Sequence, residues 1–555
     1  MKQSHTSAET PSGYDYIIVG AGSAGCVLAH RLSANPKVKV LVLEAGPDEE
    51  PFWVRTPAGV GGLFLDPRLN WKFWTDEEAK LSGRRVYWPR GKIVGGSSAI
   101  NGMIYMRGES ADYNRWDELG NRGWSWAEVL PYFKKAESSD LANGDHRGET
   151  GPLRVSRPYA QHPITDAFVQ AGVAAGLTVN PDVTSGVQDG VGYVQHTIGN
   201  GIRHSTARAY LRPIRQRKNL TIIGDALVHR VVIENGRAIG VKYQCRGSDF
   251  VAQAHREVIL SAGAVGSPQI LMLSGVGPRD QLQALGLDIK SDLPGVGENL
   301  QDHLAVNAGY EVAAGMSLNI GLRGVRKAIN GARYLLTKKG PLAVGVSHAV
   351  AFVRSTEAVA TPDLQISFRP LSLAFDKNDR VQIHRFPGVQ FAGAILRPQS
   401  RGVIRLRSAD PTAAPSIRAN YLSAAGDERC AVAVLQWIRR IVGSPPLKDL
   451  VQREDLPGPQ YRNDEELLSF VRNSSQTLYH PVGTCKMGSD KWAVVDERLR
   501  VHRVLNLRVV DASIMPTIVS GNTNAPTIMI GEKAADMILQ DAGRSEPQQQ
   551  FHGAA

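Results

Sequence analysis

The sequence predicts an α/β fold in which a Rossmann-type, doubly wound sheet is interleaved with a second, α+β domain. Two observations indicate the doubly wound sheet. A short apolar strand near the start of the chain leads through a glycine-rich turn into a helix, and a second strand, "REVILSAG", leads into another turn and helix at residues 261–277. Parallel strands joined by helices are typical of such sheets.

Length and composition set the broad class of protein. The chain has 555 residues, enough for two or three domains, and its 42% hydrophobic and 21% charged residues are typical of globular proteins. No window of 18 apolar residues predicts a membrane span, and "MKQSHTSAETPSG" lacks the apolar region of a signal peptide. We therefore expect a cytoplasmic protein with flexible ends at residues 1–13 and 543–555.

Charge and cysteine content exclude several kinds of partner. The net charge is +11, but Lys and Arg are dispersed without interleaved aromatic residues, so we expect no nucleic acid. The four cysteines have neither CxxC spacing nor a number that predicts a disulfide framework, and we expect no metal site. The sequence gives no indication of the oligomeric state.

The first strand–turn–helix unit has the pattern of a dinucleotide-binding site. Gly20, Gly22 and Gly25 follow the strand "YIIV" in G-x-G-x-x-G spacing, and Glu44 ends the next strand. The glycines would allow a tight turn, a close approach to a pyrophosphate and close helix packing, while the carboxylate would accept hydrogen bonds from a ribose. This motif alone leaves FAD and NAD as alternatives.

Three later segments add to this pattern. "PRGKIVGGSSAINGMIYMRG" (89–108) is a glycine-rich stretch that could lie against a flat ring. "GSPQILMLSG" predicts a helix that begins at Ser267 with Pro268 in its first position. "LRVV" predicts a strand ending at Asp511, and "APTIMIGEKAADMIL" predicts an amphipathic helix preceded by the polar segment "SGNTNAP".

Together these segments resemble the glucose–methanol–choline family of FAD-dependent oxidoreductases. "GKIVGGSSAING" is similar to the first family signature and "GAVGSPQILMLSGVG" to the second, while "LYHPVGTCKMG" and "GNTNAPTIMIGEK" resemble its C-terminal active-site segments. The resemblance extends from about residue 14 to about residue 539. It implies an FAD-binding domain at 14–155, 223–302 and 477–542, with a substrate-binding domain at 156–222 and 303–476.

The resemblance also implies a set of residues that bind FAD. These are Gly20, Gly22, Ser23, Ala24, Gly25, Glu44, Ala45, Trp74, Gly96, Asn101, Gly102, Met103, Ile104, Val228, Tyr479, Asp511, Ala512, Asn522 and Thr523. Some family members attach FAD through a histidine in the first signature, where this chain has Ala99 and Ile100. We therefore expect FAD to be bound non-covalently.

The resemblance implies that His480 is the active-site base and that Asn524 is its partner. Alcohol oxidation requires a group that accepts the hydroxyl proton, and an imidazole suits that task near neutral pH. An asparagine amide can donate to the substrate oxygen, although Asn524 could equally cap the following helix. His303 in "NLQDHL" we interpret as structural.

The predicted function is FAD-dependent oxidation of a primary alcohol, and the reaction could extend to an aldehyde hydrate. The alternatives are a flavin-dependent lyase or decarboxylase and a non-catalytic flavoprotein. The sequence leaves open which alcohol is oxidised and whether oxygen, a quinone or a dye accepts the electrons. Residues 322–340, "LRGVRKAINGARYLLTKKG", predict a basic amphipathic helix that could touch a membrane peripherally, and we favour a solvated helix over the substrate pocket.

Overall fold

The computed structural model describes residues 13–141, 145–157, 162–375 and 381–544. Nearly all of the termini predicted to be flexible therefore lie outside the described residues. Two seven-stranded sheets organise the described chain. One sheet has strands at residues 14–43, 220–260 and 507–509 and is largely parallel. The other has strands between residues 190 and 477 and is antiparallel.

The parallel sheet contains the predicted first strand at its centre. Its strands are Tyr14–Val19, Val40–Leu43, Leu220–Ile223, Ala226–Glu234, Arg237–Cys245, Ser248–Leu260 and Leu507–Val509. Tyr14–Val19 pairs in parallel with Val40–Leu43 on one side and with the end of Ser248–Leu260 on the other. The predicted doubly wound α/β fold is confirmed. The carboxyl ends of these strands meet at one edge, where such sheets bind their ligands.

The antiparallel sheet comes from the segments predicted to form the second domain. Its strands are Gly190–Tyr193, Leu304–Val312, Ala349–Val353, Leu364–Arg369, Gly388–Ile395, Val451–Leu456 and Gln476–Thr477. Leu364–Arg369 lies inside this sheet and pairs with Gly388–Ile395 on one side and Ala349–Val353 on the other.

Helices and short strands complete the described chain. The α-helices are Ser23–Leu32, Phe52–Arg55, Val60–Leu63, Ser110–Glu118, Trp126–Ala136, Pro163–Ala174, Gly263–Leu273, Arg279–Ala284, Gly324–Thr337, Ala425–Val442, Leu447–Leu450, Asp464–Ser474 and Asn524–Arg544. The short strands are Phe73–Trp74, Tyr87–Trp88, Ile104–Tyr105, Glu137–Ser139, Leu153–Val155, Gln195–His196, Ile198–Gly199, Ile202–Arg203, Val276–Gly277, Ser291–Asp292, Leu373–Phe375, Val381–Ile383, Val403–Arg405 and Ser416–Arg418.

One domain boundary requires correction. The sequence placed residues 156–222 in the substrate-binding domain, but Leu220–Ile223 pairs in parallel with Val40–Leu43. A boundary after residue 222 would cut through a strand of the parallel sheet, so we place it before Leu220. The remaining division of the chain into two interleaved domains stays a prediction.

The helix after the second strand–turn unit begins earlier than predicted. It runs from Gly263 to Leu273, so Pro268 lies inside it rather than in its first position. A proline in a helix leaves the carbonyl four residues earlier without its usual donor. Here the Thr484 hydroxyl donates to the Ala264 carbonyl at 2.7 Å. The segment "YHPVGT" thus satisfies the backbone group that Pro268 leaves free.

The predicted basic amphipathic helix is present as Gly324–Thr337, with its apolar face exposed. Val325 and Leu336, on the predicted apolar face, are 78% and 85% exposed, whereas Tyr334 is buried. The Tyr334 hydroxyl donates to the Gly201 carbonyl at 3.1 Å and holds the helix on the domain below. Within the part of the chain that the structure describes, no helix has the length and apolar character needed to span a bilayer.

Candidate active site

A cavity of about 710 Å³ lies between the two sheets and brings most of the predicted residues together. It is lined by Gly20, Gly22, Ser23, Ala24, Glu44, Ala45, Gly96, Asn101, Gly102, Met103, Ile104, Val228, Tyr479, His480, Asp511, Ala512, Asn522, Thr523 and Asn524. Residues separated by some 500 positions therefore share one site. The glycine turn lies at one end of this group of lining residues. His480 belongs to the segment "YHPVGT", which faces the antiparallel sheet.

The glycine turn has the shape that a dinucleotide requires. Gly20 adopts a φ of +97°, and a Cβ built on Gly25 would lie 2.0 Å from the Gly20 carbonyl oxygen. The helix that follows begins at Ser23, and its N-cap Gly22 provides no side-chain hydrogen bond. The first amides of this helix therefore lack a protein cap and can bind phosphate oxygens.

Glu44 occupies the position expected for a ribose-binding carboxylate. It follows the strand Val40–Leu43, and its two oxygens accept hydrogen bonds from the amides of Ala21, at 2.9 Å, and Gly46, at 3.0 Å. Burial raises the pKa of this carboxyl to about 7. These two hydrogen bonds fix the side chain at the rim of the cavity, where its remaining lone pairs can accept ribose hydroxyls.

The glycine-rich stretch at residues 89–108 packs directly against the glycine turn. Gly96 has a φ of +52°, and a Cβ there would lie 2.7 Å from the Gly22 Cα atom. Further along the same stretch, the side-chain oxygen of Asn101 accepts from the Met103 amide at 3.0 Å and from Arg203 Nη1 at 2.9 Å. The result is a wall of exposed backbone, which fits a flat ring system continuous with the nucleotide site.

The opposite wall carries His480, which three hydrogen bonds hold in position. The His480 amide donates to Asp302 Oδ1 at 2.7 Å. The Nδ1 atoms of His480 and His303 lie 2.9 Å apart, and His480 Nε2 lies 3.0 Å from Asn522 Nδ2. Both ring nitrogens of the predicted base are thus occupied by neighbouring side chains.

The hydrogen-bond network assigns the tautomers of the two histidines. His303 Nε2 lies 3.0 Å from the Leu396 carbonyl, which only accepts, so His303 carries its proton on Nε2. Its Nδ1 is then the acceptor, and His480 donates from Nδ1. The remaining nitrogen, His480 Nε2, carries a lone pair and accepts from the Asn522 amide. This lone pair belongs to a residue that lines the cavity.

Burial keeps both rings neutral. The pKa of His480 lies well below its ordinary value, first because the ring is buried and then because His303 and Arg90 disfavour a second positive charge. Burial also lowers the pKa of His303 to about 4. At neutral pH His480 is therefore unprotonated on Nε2, as a general base must be.

The structure corrects three assignments made from the sequence. Asn522, and not Asn524, contacts His480; Asn524 is the first helical residue and accepts from the Ser23 hydroxyl at 2.7 Å. His303, interpreted as structural, contacts the predicted base directly. Trp74 is 41% exposed, packs against Tyr87 and does not line the cavity in which the other predicted FAD-binding residues lie.

Sequence reasoning also missed two cationic residues at the site. Arg90 and Arg369 line the cavity near Tyr479; Arg90 lies in the glycine-rich stretch at 89–108 but received no role, and Arg369 lies in none of the quoted motifs. Asp302 and His303 are adjacent in the sequence, and this pair could have indicated a role at the site. Asp302 accepts from the His480 amide, and His303 contacts the His480 ring.

Gly25, which was predicted to bind the cofactor, does not line the cavity. Its role is to let the helix pack on the turn.

The fold, the dinucleotide turn and the buried histidine define a flavoprotein of the alcohol-oxidising class, and comparison with known proteins supports this. The two GMC oxidoreductase family models match residues 14–305 and 398–531. The chain belongs to the GMC oxidoreductase family, as the signature segments indicated. It is an FAD-dependent oxidoreductase that acts on an alcohol.

Relatives and solved structures match nearly the whole chain. Human mitochondrial choline dehydrogenase is 43% identical over 96% of this chain and 90% of its own length. Oxygen-dependent choline dehydrogenase 1 of Chromohalobacter salexigens is 44% identical over 95% of this chain and 94% of its own.

Among solved structures, pyridoxine 4-oxidase from Mesorbium loti superposes with a TM-score of 0.86 at 32% identity, covering 95% and 99% of the two chains. Formate oxidase superposes with a TM-score of 0.90 at 27% identity, covering 97% and 100%. These relatives give no support to the lyase, decarboxylase or non-catalytic alternatives.

Proposed function

We propose that His480 Nε2 accepts the hydroxyl proton of a primary alcohol while Asn522 donates a hydrogen bond to the same oxygen. The supporting observation is the 3.0 Å contact between His480 Nε2 and Asn522 Nδ2, an acceptor beside a donor in the cavity wall. A substrate hydroxyl that replaces this hydrogen bond would donate to the imidazole Nε2 and accept from the amide. As the proton leaves, the amide stabilises the charge that develops on oxygen.

The residues around this pair hold it in a reactive geometry. His303 accepts from His480 Nδ1 and fixes the tautomer with the lone pair on Nε2. Asp302, buried, accepts from the Thr477 hydroxyl at 2.5 Å as well as from the His480 amide, so the backbone at His480 cannot move freely. Such fixed positioning reduces the entropy lost on reaching the transition state.

The cofactor supplies the redox step. Bound FAD would supply the hydride acceptor: the alcohol would lose its hydroxyl proton to His480 and a hydride from the carbinol carbon to the cofactor, and would become an aldehyde. The residues that would hold FAD are those of the glycine turn, Glu44, the 96–104 segment and Asp511 with Ala512. The electron acceptor is oxygen, a quinone or a dye, and the cytoplasmic location stays a prediction.

Anaerobic mixing of the FAD-loaded protein with primary alcohols tests the proposal. Bleaching of the oxidised flavin band is expected for the wild type, and a loss of about 10³-fold or more in the rate constant is expected for His480→Gln. His255→Gln is a matched control, since His255 is an exposed residue outside the cavity. Equal bleaching by wild type and His480→Gln would contradict the role of the base. Admission of air then separates oxidase from dehydrogenase by the rate of recolouring.

A further inference from the structure

Arg369 is a cation in the cavity wall without a partner among the described residues. It ends the strand Leu364–Arg369 of the antiparallel sheet and lines the same cavity as His480 and Tyr479. Its Nε atom is buried and has no hydrogen-bond acceptor. No described carboxylate forms an ion pair with it, although 26 such ion pairs occur elsewhere in the described chain.

A buried N–H donor without an acceptor is costly, because it loses its hydrogen bond to water and gains none in return. At Arg369 this donor is the Nε–H group, in a half-buried side chain that lines the cavity. Burial accordingly lowers the pKa of Arg369, and the group that opposes this effect is the Tyr479 phenol rather than a carboxylate. Arginines buried in protein cores are bound by carboxylates or carbonyls, as Arg107 and Arg203 are here. An unpaired one in a ligand cavity indicates that the missing partner is part of the ligand.

Arg90, the other arginine of this wall, differs from Arg369 in this respect. It donates to the carbonyl oxygens of Tyr479 and Pro89, both at 2.6 Å. Burial lowers the pKa of Arg90 to about 10, and the charge of Asp302 opposes this effect. Arg90 is therefore part of the scaffold that shapes the segment before His480, and Arg369 is the cation left for a ligand.

The carboxylates that line the described part of the cavity are bound by groups other than Arg369. Among the described lining residues they are Glu44 and Asp511, which belong to the nucleotide-binding segments. Glu44 accepts from two backbone amides, and Asp511 accepts from the Gly263 amide at 2.9 Å and the Ser267 hydroxyl at 2.6 Å. Asp302, which accepts from the His480 amide, acts on Arg90, so among the described residues Arg369 is the cation in this part of the cavity wall without a carboxylate partner.

We propose that Arg369 determines substrate specificity by binding an anionic group of the alcohol, so that the substrate is a hydroxy acid rather than a quaternary ammonium alcohol. This inference rests on the proposed function, because it places the hydroxyl at His480 and the anion at Arg369. A guanidinium binds a carboxylate or phosphate through two parallel hydrogen bonds. A trimethylammonium group has no acceptor and would be repelled there, although relatives at 42–44% identity are named for choline.

Matched substrates test this inference on the wild-type holoenzyme. One set is 4-(hydroxymethyl)benzoate, its amide and its para-trimethylammonium analogue; the other is 4-hydroxybutanoate, 4-hydroxybutanamide and choline. The second-order rate constant of flavin reduction is expected to be at least about tenfold higher for the anion than for the amide, and lowest for the cation. A rate constant for the cation equal to or above that of the amide would overturn the inference. A phosphate-bearing alcohol added to these substrate sets shows whether a phosphate or a carboxylate gives the higher rate constant.

Variants then assign the preference to Arg369. Arg369→Gln is expected to lower the rate constant for the anion about 10–100-fold and that for the amide less than about threefold, whereas Arg369→Lys retains part of the preference. Arg354→Gln is the control, since Arg354 follows a neighbouring strand of the sheet but pairs with Asp189 at 2.5 Å, outside the cavity. Equal losses for anion and amide in Arg369→Gln would show a structural role and contradict the inference.

A binding measurement separates this inference from the proposed function. Titration of the oxidised holoenzyme with benzoate, against benzamide, should perturb the flavin absorbance in the wild type and not in Arg369→Gln. If no alcohol bleaches the flavin but benzoate binds through Arg369, the proposed function fails and the anion site stands. If alcohols bleach the flavin without any preference for anions and benzoate does not bind, the anion site is wrong and the proposed function stands.

Discussion

At the scale of single residues, the site depends on which nitrogen of each histidine carries a proton. The Leu396 carbonyl fixes the proton of His303 on Nε2, and this in turn fixes the proton of His480 on Nδ1. A backbone carbonyl of the antiparallel sheet, which lies outside the motifs, thereby decides that the lone pair of the base is on Nε2. The same chain of hydrogen bonds leaves the Asn522 side-chain oxygen buried without a partner.

Substitution of the two asparagines of "GNTNAP" by alanine is expected to affect different properties, flavin reduction for Asn522 and FAD binding for Asn524. Asn522→Ala removes the donor beside His480 Nε2, so flavin reduction should slow by about 100-fold while FAD stays bound. Asn524→Ala removes the acceptor of the Ser23 hydroxyl at the dinucleotide helix, so FAD binding should weaken and the loaded enzyme should react at nearly the wild-type rate. Flavin content and anaerobic reduction rates measure both effects. A slower reduction in Asn524→Ala than in Asn522→Ala would restore the pairing predicted from sequence.

The pH dependence of flavin reduction should reflect the buried setting of His480. Because its folded pKa lies well below the ordinary value of about 6.5, the ring stays an unprotonated base as the pH falls through that value. The kcat/KM for the alcohol should therefore be constant near pH 6.5 and decline only at distinctly lower pH. The measurement is kcat/KM from pH 4.5 to 8 with a neutral alcohol. An acid limb with a midpoint at or above pH 6.5 would contradict the assignment of His480 as the base.

At the scale of elements, the first signature segment determines how the cofactor is attached. Gly96–Ala99 is a short 3₁₀ helix pressed against the glycine turn, and it is followed by the buried apolar residue Ile100. Neither Ala99 nor Ile100 carries a nucleophile. Acid precipitation of the purified protein should therefore release all the flavin as free FAD into the supernatant. Yellow colour that remains with the washed, precipitated chain would show a covalent bond.

Elements with a strong local pattern could be predicted from the sequence, and the contacts between them could not. The first strand, the glycine turn and the final helix follow from apolar periodicity and glycine spacing over ten to twenty residues. The pairing of Asn522 with His480 depends on the turn at Gly521, where φ is +132°, and periodicity carries no signal for that. Arg369 escaped notice because a strand pattern does not tell which of its two faces borders a cavity.

At the scale of the whole molecule, the cavity is assembled from segments that span almost the entire chain. Lining residues run from Val19 to Thr527 and come from both sheets. Only the folded chain brings them together, so the unfolded state has no comparable site for FAD. A ligand that binds only the folded state stabilises it in proportion to the logarithm of its free concentration.

The thermal stability of the protein should therefore depend on free FAD. Stripped protein should unfold at a lower Tm than the holoprotein, and raising free FAD to 100 times its Kd should stabilise the fold by about 2.7 kcal/mol. For a chain of this length the shift should be a few degrees, measured by differential scanning calorimetry across an FAD series. Riboflavin, which lacks the phosphates and the adenosine that the glycine turn and Glu44 would bind, is the matched control and should shift the Tm less. A Tm that does not change with FAD concentration would show that the cavity is not the FAD site.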